Sequence, residues 1–262
     1  MKPGLALLCV VLLSARAAAL TPGELQRITF DQHIGQVLSR DLRFRESNGQ
    51  AVSLGDYFGD KPILLVLGYY HCPMLCRLIN DGMIASLQEL QLSAGHDFQI
   101  VSVSVDPSEA PELAAAKKVQ YLRQYGRTGA EEGWHFLVGD KNTIAQLANE
   151  IGFRFAYDPP SGEFAHPSGF LVLTPDGKIS RYLLGMRFDA RELQAAIAAA
   201  ANHQEGSLVK QLALVCFHYN PVTGKYGRLI VNGLRFSSVL TLILLLALIY
   251  RLARDRHRTI TS

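Results

Sequence analysis

The chain has 262 residues with a formal net charge of +3, and 48% of its residues are hydrophobic. This length allows one domain with a sizeable core or two small ones. The charge is nearly balanced, and no long basic run in the middle of the chain provides a basic surface for nucleic acid. We therefore expect no nucleic-acid partner.

The first segment, residues 1–19, has the pattern of a secretory signal peptide. Lys2 is followed by an apolar run over residues 5–13 and by three alanines at residues 17–19, which form a small-residue cleavage site. Cys9 lies inside the apolar run and is expected to be removed with it. The mature chain then keeps three cysteines in an oxidising compartment, where a pair is usually a structural disulfide: Cys72, Cys76 and Cys216.

The middle of the chain alternates apolar runs with segments of helical periodicity. Residues 21–57 are predicted to form a lead-in hairpin. Short β-branched and leucine-rich runs predict strands that are covered on both faces, at residues 63–67, 98–105 and 134–138. The intervening segments predict helices: residues 79–92, residues 106–125 with Pro107 early in the helix, and residues 142–151 with Asp140 or Asn142 as the cap.

A hairpin and a helix are predicted to complete this region. Residues 169–174 and 178–184 flank a Pro-Asp-Gly turn, and the alanine-rich residues 189–201 begin with a capping aspartate. Strands that alternate with helices imply parallel βαβ units in an α/β fold. The order βαβαβα–ββ–α, with two cysteines at the first strand-to-helix turn, predicts a thioredoxin-like domain over residues 20–203. Such a domain is a mixed sheet flanked by helices, here with an inserted strand–helix unit.

The C-terminal part is predicted to anchor the chain in a membrane. After a linker over residues 204–228, residues 229–252 are long enough to cross a bilayer, although Arg235 would have to snorkel to the interface. A buried amphipathic helix is the alternative, but seven consecutive apolar residues at 242–248 leave no polar face. Arginines at 251, 254, 256 and 258 place the tail, residues 253–262, in the cytoplasm.

The motif HCPMLC places Cys72 and Cys76 directly after the first predicted strand. Cys72 would lie at a helix N-terminus, where backbone N–H groups favour a thiolate, and Cys76 would lie one turn further on the same face. Such a pair can close a disulfide or hold a soft metal ion. Dithiol oxidoreductases of this architecture mostly use the tighter CxxC spacing, whereas CxxxC leaves room for an ion, and thiolates select Cu(I).

His166 is the candidate for a third ligand. It lies just before the strand predicted at residues 169–174, in a loop that faces the first helix N-terminus in a thioredoxin-like layout. A neutral imidazole beside two sulfurs would also accept Cu(II). His71 is expected to point elsewhere, and Met74 is expected to pack or to face a partner.

Cys216 and His218 lie two residues apart in the predicted linker. On a strand they would share one face. A second soft-metal site, a haem contact, or a buried thiol beside a polar histidine all stay open for them.

Three segments carry a resemblance to a known family: HCPMLC with the strand before it, VSVDP at residues 103–107, and AHPSGFLVLTPDGKISRY at residues 165–182. Over about residues 54–201 the chain resembles the Sco/SenC family of copper-binding, thioredoxin-like proteins that assist cytochrome c oxidase assembly. The resemblance implies copper ligation by Cys72, Cys76 and His166. It also implies delivery of copper to the dinuclear site of oxidase subunit II or to another copper-accepting protein.

The chain departs from the family pattern at two positions of the motif and at its anchor. Met74 replaces an acidic residue and Arg77 replaces a proline, while the predicted anchor is C-terminal instead of N-terminal. We therefore interpret the chain as a divergent branch. These departures put the partner in doubt more than the metal.

The leading hypothesis is a copper metallochaperone with a single-pass anchor in the inner (cytoplasmic) membrane and its soluble domain in the periplasm. The alternative is a thiol–disulfide reductase in which Cys72 attacks a partner disulfide and Cys76 resolves the mixed disulfide. His166 would then modulate the thiol pKa. A third class is a sensor of copper or redox state that transfers nothing.

Overall fold

The computed structural model describes residues 23, 27–72, 75–204, 237 and 241. The chain divides into two units, residues 1–211 and residues 212–262, and all the elements below belong to the first. The predicted signal peptide, Cys216 and His218, Pro73 and Met74, and the predicted span apart from residues 237 and 241 lie outside the described residues. No helix within the described ranges is long and apolar enough to cross a membrane.

The first unit is built on a mixed sheet of seven strands. These strands are β1 (Arg43–Glu46), β2 (Ala51–Ser53), β3 (Ile63–Gly68), β4 (Gln99–Ser104), β5 (Trp134–Val138), β8 (Gly169–Leu173) and β9 (Ile179–Leu184). Two further strands, β6 (Ala156–Asp158) and β7 (Glu163–Ala165), pair only with each other. The order in the large sheet is β2–β1–β5–β4–β3–β8–β9.

Four α-helices connect or follow these strands: α1 (Leu75–Gln88), α2 (Pro111–Tyr125), α3 (Lys141–Glu150) and α4 (Ala190–Ala201). Strands β3, β4 and β5 run parallel, and β8 runs antiparallel to β3. This arrangement confirms the predicted mixed α/β, thioredoxin-like fold.

The strands at the centre of the sheet are apolar on both faces because helices cover both. Leu65 and Leu67 of β3 enter a core cluster together with α3, whereas Leu64 and Val66 enter a second cluster built with α1, α2 and α4. Alternating side chains of a strand point to opposite faces, so a continuous apolar run supplies both clusters. The run at residues 63–67 was therefore sufficient to predict a buried strand.

The helix α2 begins at Pro111, and the predicted start at Asp106 is wrong. Ala110 is extended, with φ −103° and ψ 159°, as expected for a residue before proline. Pro111 would clash with the preceding turn inside a helix, but it suits the first helical position. Asp106 instead accepts a hydrogen bond from the backbone N–H of Ser108 at 2.8 Å and so stabilises a turn.

Apart from α1, which covers residues 75–88 and not the predicted 79–92, the other helices and main-sheet strands lie within one residue of their predicted bounds, and one hairpin was not predicted. Asp140 caps α3 by accepting from the backbone N–H groups of Asn142 and Thr143. Strands β1 and β2 form the lead-in hairpin, which joins the sheet beside β5. The small hairpin β6–β7 carried no clear sequence signal, yet it ends one residue before His166 and so positions that side chain.

Candidate metal centre

The turn between β3 and α1 brings the two cysteines together. The backbone N–H of Cys72 donates to the carbonyl of Tyr69 at 3.3 Å, and the N–H of Cys76 donates to Cys72 Sγ at 3.3 Å. Cys72 is half-buried and Cys76 is buried, and no disulfide joins the two sulfurs. A Cβ added at Gly68 would lie 3.0 Å from Cys76 Sγ, so glycine at the end of β3 leaves the space that this sulfur occupies.

His166 lies beside the two cysteines, although it is far from them in the sequence. Its Nε2 lies 3.0 Å from Cys76 Sγ, and its Nδ1 lies 3.0 Å from the carbonyl oxygen of Pro167. Because a carbonyl only accepts, Nδ1 carries the proton and the Nε2 lone pair faces the sulfur. The ring is 5% exposed and lies 5.8 Å from Phe153 and 6.1 Å from Tyr69, which fix its orientation.

Cys72, Cys76 and His166 form a group that could hold a metal ion, since their ligand atoms all lie within 4.8 Å of one another. Ligand atoms of a single ion are separated by about 4–5 Å at most when the bonds are about 2.0–2.3 Å long. Two sulfurs and one imidazole nitrogen are a soft donor set. The described residues therefore fit a soft cation without rearrangement of the sheet.

The protonation of Cys76 sets a condition for metal binding. Hydrogen bonding to Cys72 and burial raise the pKa of the Cys76 thiol well above its usual range. The single proton on Cys76 faces two acceptors, Cys72 Sγ and His166 Nε2. A metal ion would displace this proton, because thiolate sulfur is the ligand, and it would then bind all three ligand atoms at once.

The buried carboxylate of Glu109 stabilises the turn between β3 and α1 through hydrogen bonds. Glu109 accepts hydrogen bonds from the backbone N–H of Tyr70 at 2.9 Å, the backbone N–H of His71 at 2.7 Å and the hydroxyl of Ser104 at 2.6 Å. The His71 side chain is 75% exposed, and its Nδ1 lies 3.6 Å from Glu109 Oε1. His71 is thus turned toward Glu109, and the metal-binding group does not include it.

Tyr69 is the residue that contacts both cysteines. Its backbone N–H donates to Cys76 Sγ at 3.4 Å. Burial, followed by a hydrogen bond from the hydroxyl to Cys72, raises the pKa of Tyr69. Sequence reasoning missed both Tyr69 and Glu109; the signal that could have found them is their position at the carboxyl ends of adjacent parallel strands, where sites of α/β folds form.

The SCO1/SenC family model matches residues 31–202 of the chain. A curated relative, the mitochondrial protein SCO2 homolog of Bos taurus, is 24% identical over 149 residues, which are 54% of this chain and 52% of that protein. The chain thus matches about half the length of this relative.

Solved structures share the fold. A protein of Aquifex aeolicus VF5 with a provisional assignment to electron transfer matches with a TM-score of 0.56 and 26% identity, over 65% of this chain and 95% of its own. A SCO1/SenC family lipoprotein of Bacillus anthracis matches at 0.51 and 21%, over 64% and 99%. The ScoI protein of Arabidopsis thaliana, solved with copper bound, matches at 0.50 and 17%, over 62% and 96%.

Proposed function

The chain belongs to the SCO1/SenC family, and from this premise we propose that it binds copper through Cys72, Cys76 and His166 and delivers it to a partner protein. The observation that carries the proposal is the convergence of two sulfurs and one unprotonated imidazole nitrogen within 4.8 Å. Thiolates and imidazole are the ligands that Cu(I) and Cu(II) share. The same cluster would be a poor site for Mg²⁺ or Ca²⁺, which require oxygen ligands.

Burial suggests the order in which the ligands exchange. Cys72 is half-buried, whereas Cys76 and His166 are buried. A thiolate of the partner would therefore reach copper beside Cys72 and replace that sulfur first, while Cys76 and His166 still hold the ion. Because a disulfide offers no thiolate, the pair must be reduced before loading, which couples copper binding to redox state.

The recipient and the location are parts of the same proposal. The partner would be cytochrome c oxidase subunit II or another copper-accepting protein. The N-terminal signal segment would direct export, and the span at residues 229–252 would hold the domain, residues 20–203, at the periplasmic face of the inner membrane, as a divergent branch with a C-terminal anchor. Arg77 supports a distinct docking surface, since its side chain is 68% exposed next to Cys76 and lies 3.5 Å from Asp81.

A thiol–disulfide reductase is the second candidate, and one observation favours it. Cys72 is half-buried and accepts hydrogen bonds, whereas Cys76 is buried and its thiol pKa is raised. This asymmetry suits an attacking Cys72 and a resolving Cys76. Trapping of a mixed disulfide with the partner by a Cys76→Ser variant in cells would favour this role over metal delivery.

Copper titration of the reduced full-length chain tests the proposal. We expect one copper per chain with sulfur coordination, and at least about a tenfold loss of affinity in His166→Ala, since losing even a group that only orients a ligand costs about 10–100-fold. His71→Ala is the matched control because that side chain lies next to the motif but outside the cluster, and its affinity should change less than about twofold. Equal affinity of His166→Ala and the parent chain would disprove the third ligand.

A further inference from the structure

We propose that a cavity beside the metal centre binds a small carboxylate with an apolar body, such as an aryl-substituted short-chain acid. The cavity has a volume of about 690 Å³ and lies between α3 and the two segments that contain Thr29 and Phe153. Small-molecule sites in proteins commonly measure about 300–1,000 Å³ and combine an apolar lining with a few polar groups. Copper delivery makes no use of this cavity, so the inference is independent of the proposed function.

Backbone hydrogen bonds hold the walls of the cavity together. The N–H of Arg154 donates to the carbonyl of Thr29 at 2.9 Å, and the N–H of Phe153 donates to the carbonyl of Ala148 at 2.7 Å. The first bond joins the two segments to each other, and the second joins one of them to α3. Because the walls are already in place, a ligand would lose little binding free energy in ordering the protein.

One part of the lining is apolar. It includes Ala145 and Ala148 of α3, together with Phe153 and Phe155, whose ring centroids lie 5.7 Å apart. The small side chains of the alanines leave space beside the helix, and aromatic side chains offer a large apolar surface that packs well against other rings. This part of the lining therefore suits the apolar body of a ligand.

Charged side chains form another part of the lining. Arg27 and Arg154 outnumber the one carboxylate, Asp31, so the lining carries a net positive charge. Asp31 lies 2.8 Å from Nε of Arg154, and both side chains are 48% exposed. This contact uses the Nε–H of the guanidinium and orients the group, while its terminal nitrogens can still donate to a second carboxylate. The cavity therefore favours an anion over a neutral or cationic ligand.

Phe153 connects the cavity to the metal centre. It lines the cavity, and its ring also stacks on His166 at 5.8 Å, with an angle of 27° between the two planes. A ligand that contacts Phe153 would therefore change the magnetic surroundings of His166. The ring signal of His166 can thus report binding in the cavity without any copper.

Titration of the full-length chain with phenylbutyrate, followed by NMR, tests the inference. The backbone amide signals of Ala148 and Phe153 and the ring signal of His166 are recorded while the acid is added at constant pH. We expect these signals to shift with a dissociation constant on the order of 1 mM, the affinity of an ordinary ligand of this size. Arg154→Gln should weaken binding about fivefold, the effect of one exposed ion pair. Arg187→Gln removes an exposed arginine outside the lining and should change the affinity less than about twofold.

A variant that fills the cavity provides a second test. Ala145 is exposed and lines the cavity, so the indole of Ala145→Trp should occupy the space and abolish binding. Ala116→Trp on α2 is the matched control, because Ala116 is an exposed helical alanine outside the lining. Its affinity for phenylbutyrate should stay within about twofold of the parent chain.

Three results would overturn the inference. The first is the absence of shifts in the parent chain. The second is equal binding of phenylbutyrate and of phenylbutanol, the alcohol of similar shape, because the cavity would then not recognise the carboxylate. The third is unchanged binding in Ala145→Trp, which would place the ligand elsewhere. None of these measurements needs copper, so a failure of the proposed function would leave them unaffected.

Discussion

The chemistry of single residues in the cluster depends on where their protons are held. Nδ1 of His166 keeps its proton and donates a hydrogen bond to the carbonyl of Pro167, so the lone pair of Nε2 is directed at Cys76. Backbone protons are also held at the turn. Glu109 accepts hydrogen bonds from the backbone N–H groups of Tyr70 and His71 and thereby fixes the chain just before Cys72. Polar groups that are buried need such partners, and removing one leaves several unpaired.

Glu109→Ala should lower the free energy of unfolding by about 2–4 kcal/mol, because two backbone N–H groups and the Ser104 hydroxyl lose their shared acceptor in a buried site. Ser104→Ala removes only one of the three donors and should cost about 1 kcal/mol. Urea unfolding of the full-length chain measures both. Equal losses in the two variants would show that Glu109 does not hold the turn.

At the scale of elements, side-chain contacts join the lead-in hairpin to the main sheet. Glu46 at the end of β1 lies 2.9 Å from His135 Nδ1 on β5, and His135 packs against Tyr57 with a ring distance of 4.4 Å. The hydrogen bond from His135 lowers the pKa of Glu46 despite its partial burial. A carboxyl group whose pKa is lower in the folded state stabilises that state above its ordinary pKa, and this stabilisation is lost as the pH falls through the folded value.

Glu46→Gln should therefore reduce the acid sensitivity of the domain. At neutral pH the variant should be less stable than the parent by about 1 kcal/mol, because it loses a charge-assisted hydrogen bond. The difference should shrink as the pH falls from about 5 through the lowered folded pKa of Glu46, because the carboxyl becomes protonated first in the unfolded chain and then in the folded one. Urea unfolding at a series of pH values measures it, with the exposed Glu89→Gln as control. A constant difference across this range would contradict the assignment.

At the scale of the whole molecule, the sheet brings two segments that are distant in the sequence to the same end of its strands. Cys76 and His166 are 90 residues apart in sequence, yet they meet because β3 and β8 are neighbours in the sheet. The turn after β3 and the loop before β8 lie at the same end of these antiparallel strands. An unfolded chain separates these ligands, so a metal ion bound by all of them stabilises only the folded state.

Copper should consequently stabilise the domain against unfolding. With free Cu(I) at a hundredfold excess over the dissociation constant, the free energy of unfolding should rise by about 2.7 kcal/mol. Thermal or urea unfolding of the reduced full-length chain, with and without a Cu(I) chelator, measures this change. Cys72→Ser should lose most of the gain, and an equal gain in that variant would contradict binding at the cluster.

Much of this organisation could be predicted because it depends on local sequence. The apolar run at residues 63–67, the Pro-Asp-Gly turn between β8 and β9, and the cap at Asp189 each specify their element through short-range physics. The start of α2 could not be placed as well, since Pro107 and Pro111 both suit a first helical turn. Pro111 itself argues for the later start, because it would lie inside a helix that began at Asp106 and clash with the preceding turn. The turn that Asp106 makes with Ser108 agrees with this start.

The sequence by itself determined the α/β fold, the cysteine pair at a strand-to-helix turn and His166 as the distant partner, because periodicity and motif spacing are encoded locally. Tertiary structure alone decided which nitrogen of His166 faces Cys76, and that Tyr69 and Glu109 serve the site. Hydrogen bonds between distant segments follow from strand order and side-chain packing, which no spacing within the chain records. The two cysteines of HCPMLC are therefore not equivalent. Cys72 is half-buried and accepts a hydrogen bond, whereas Cys76 is a buried thiol.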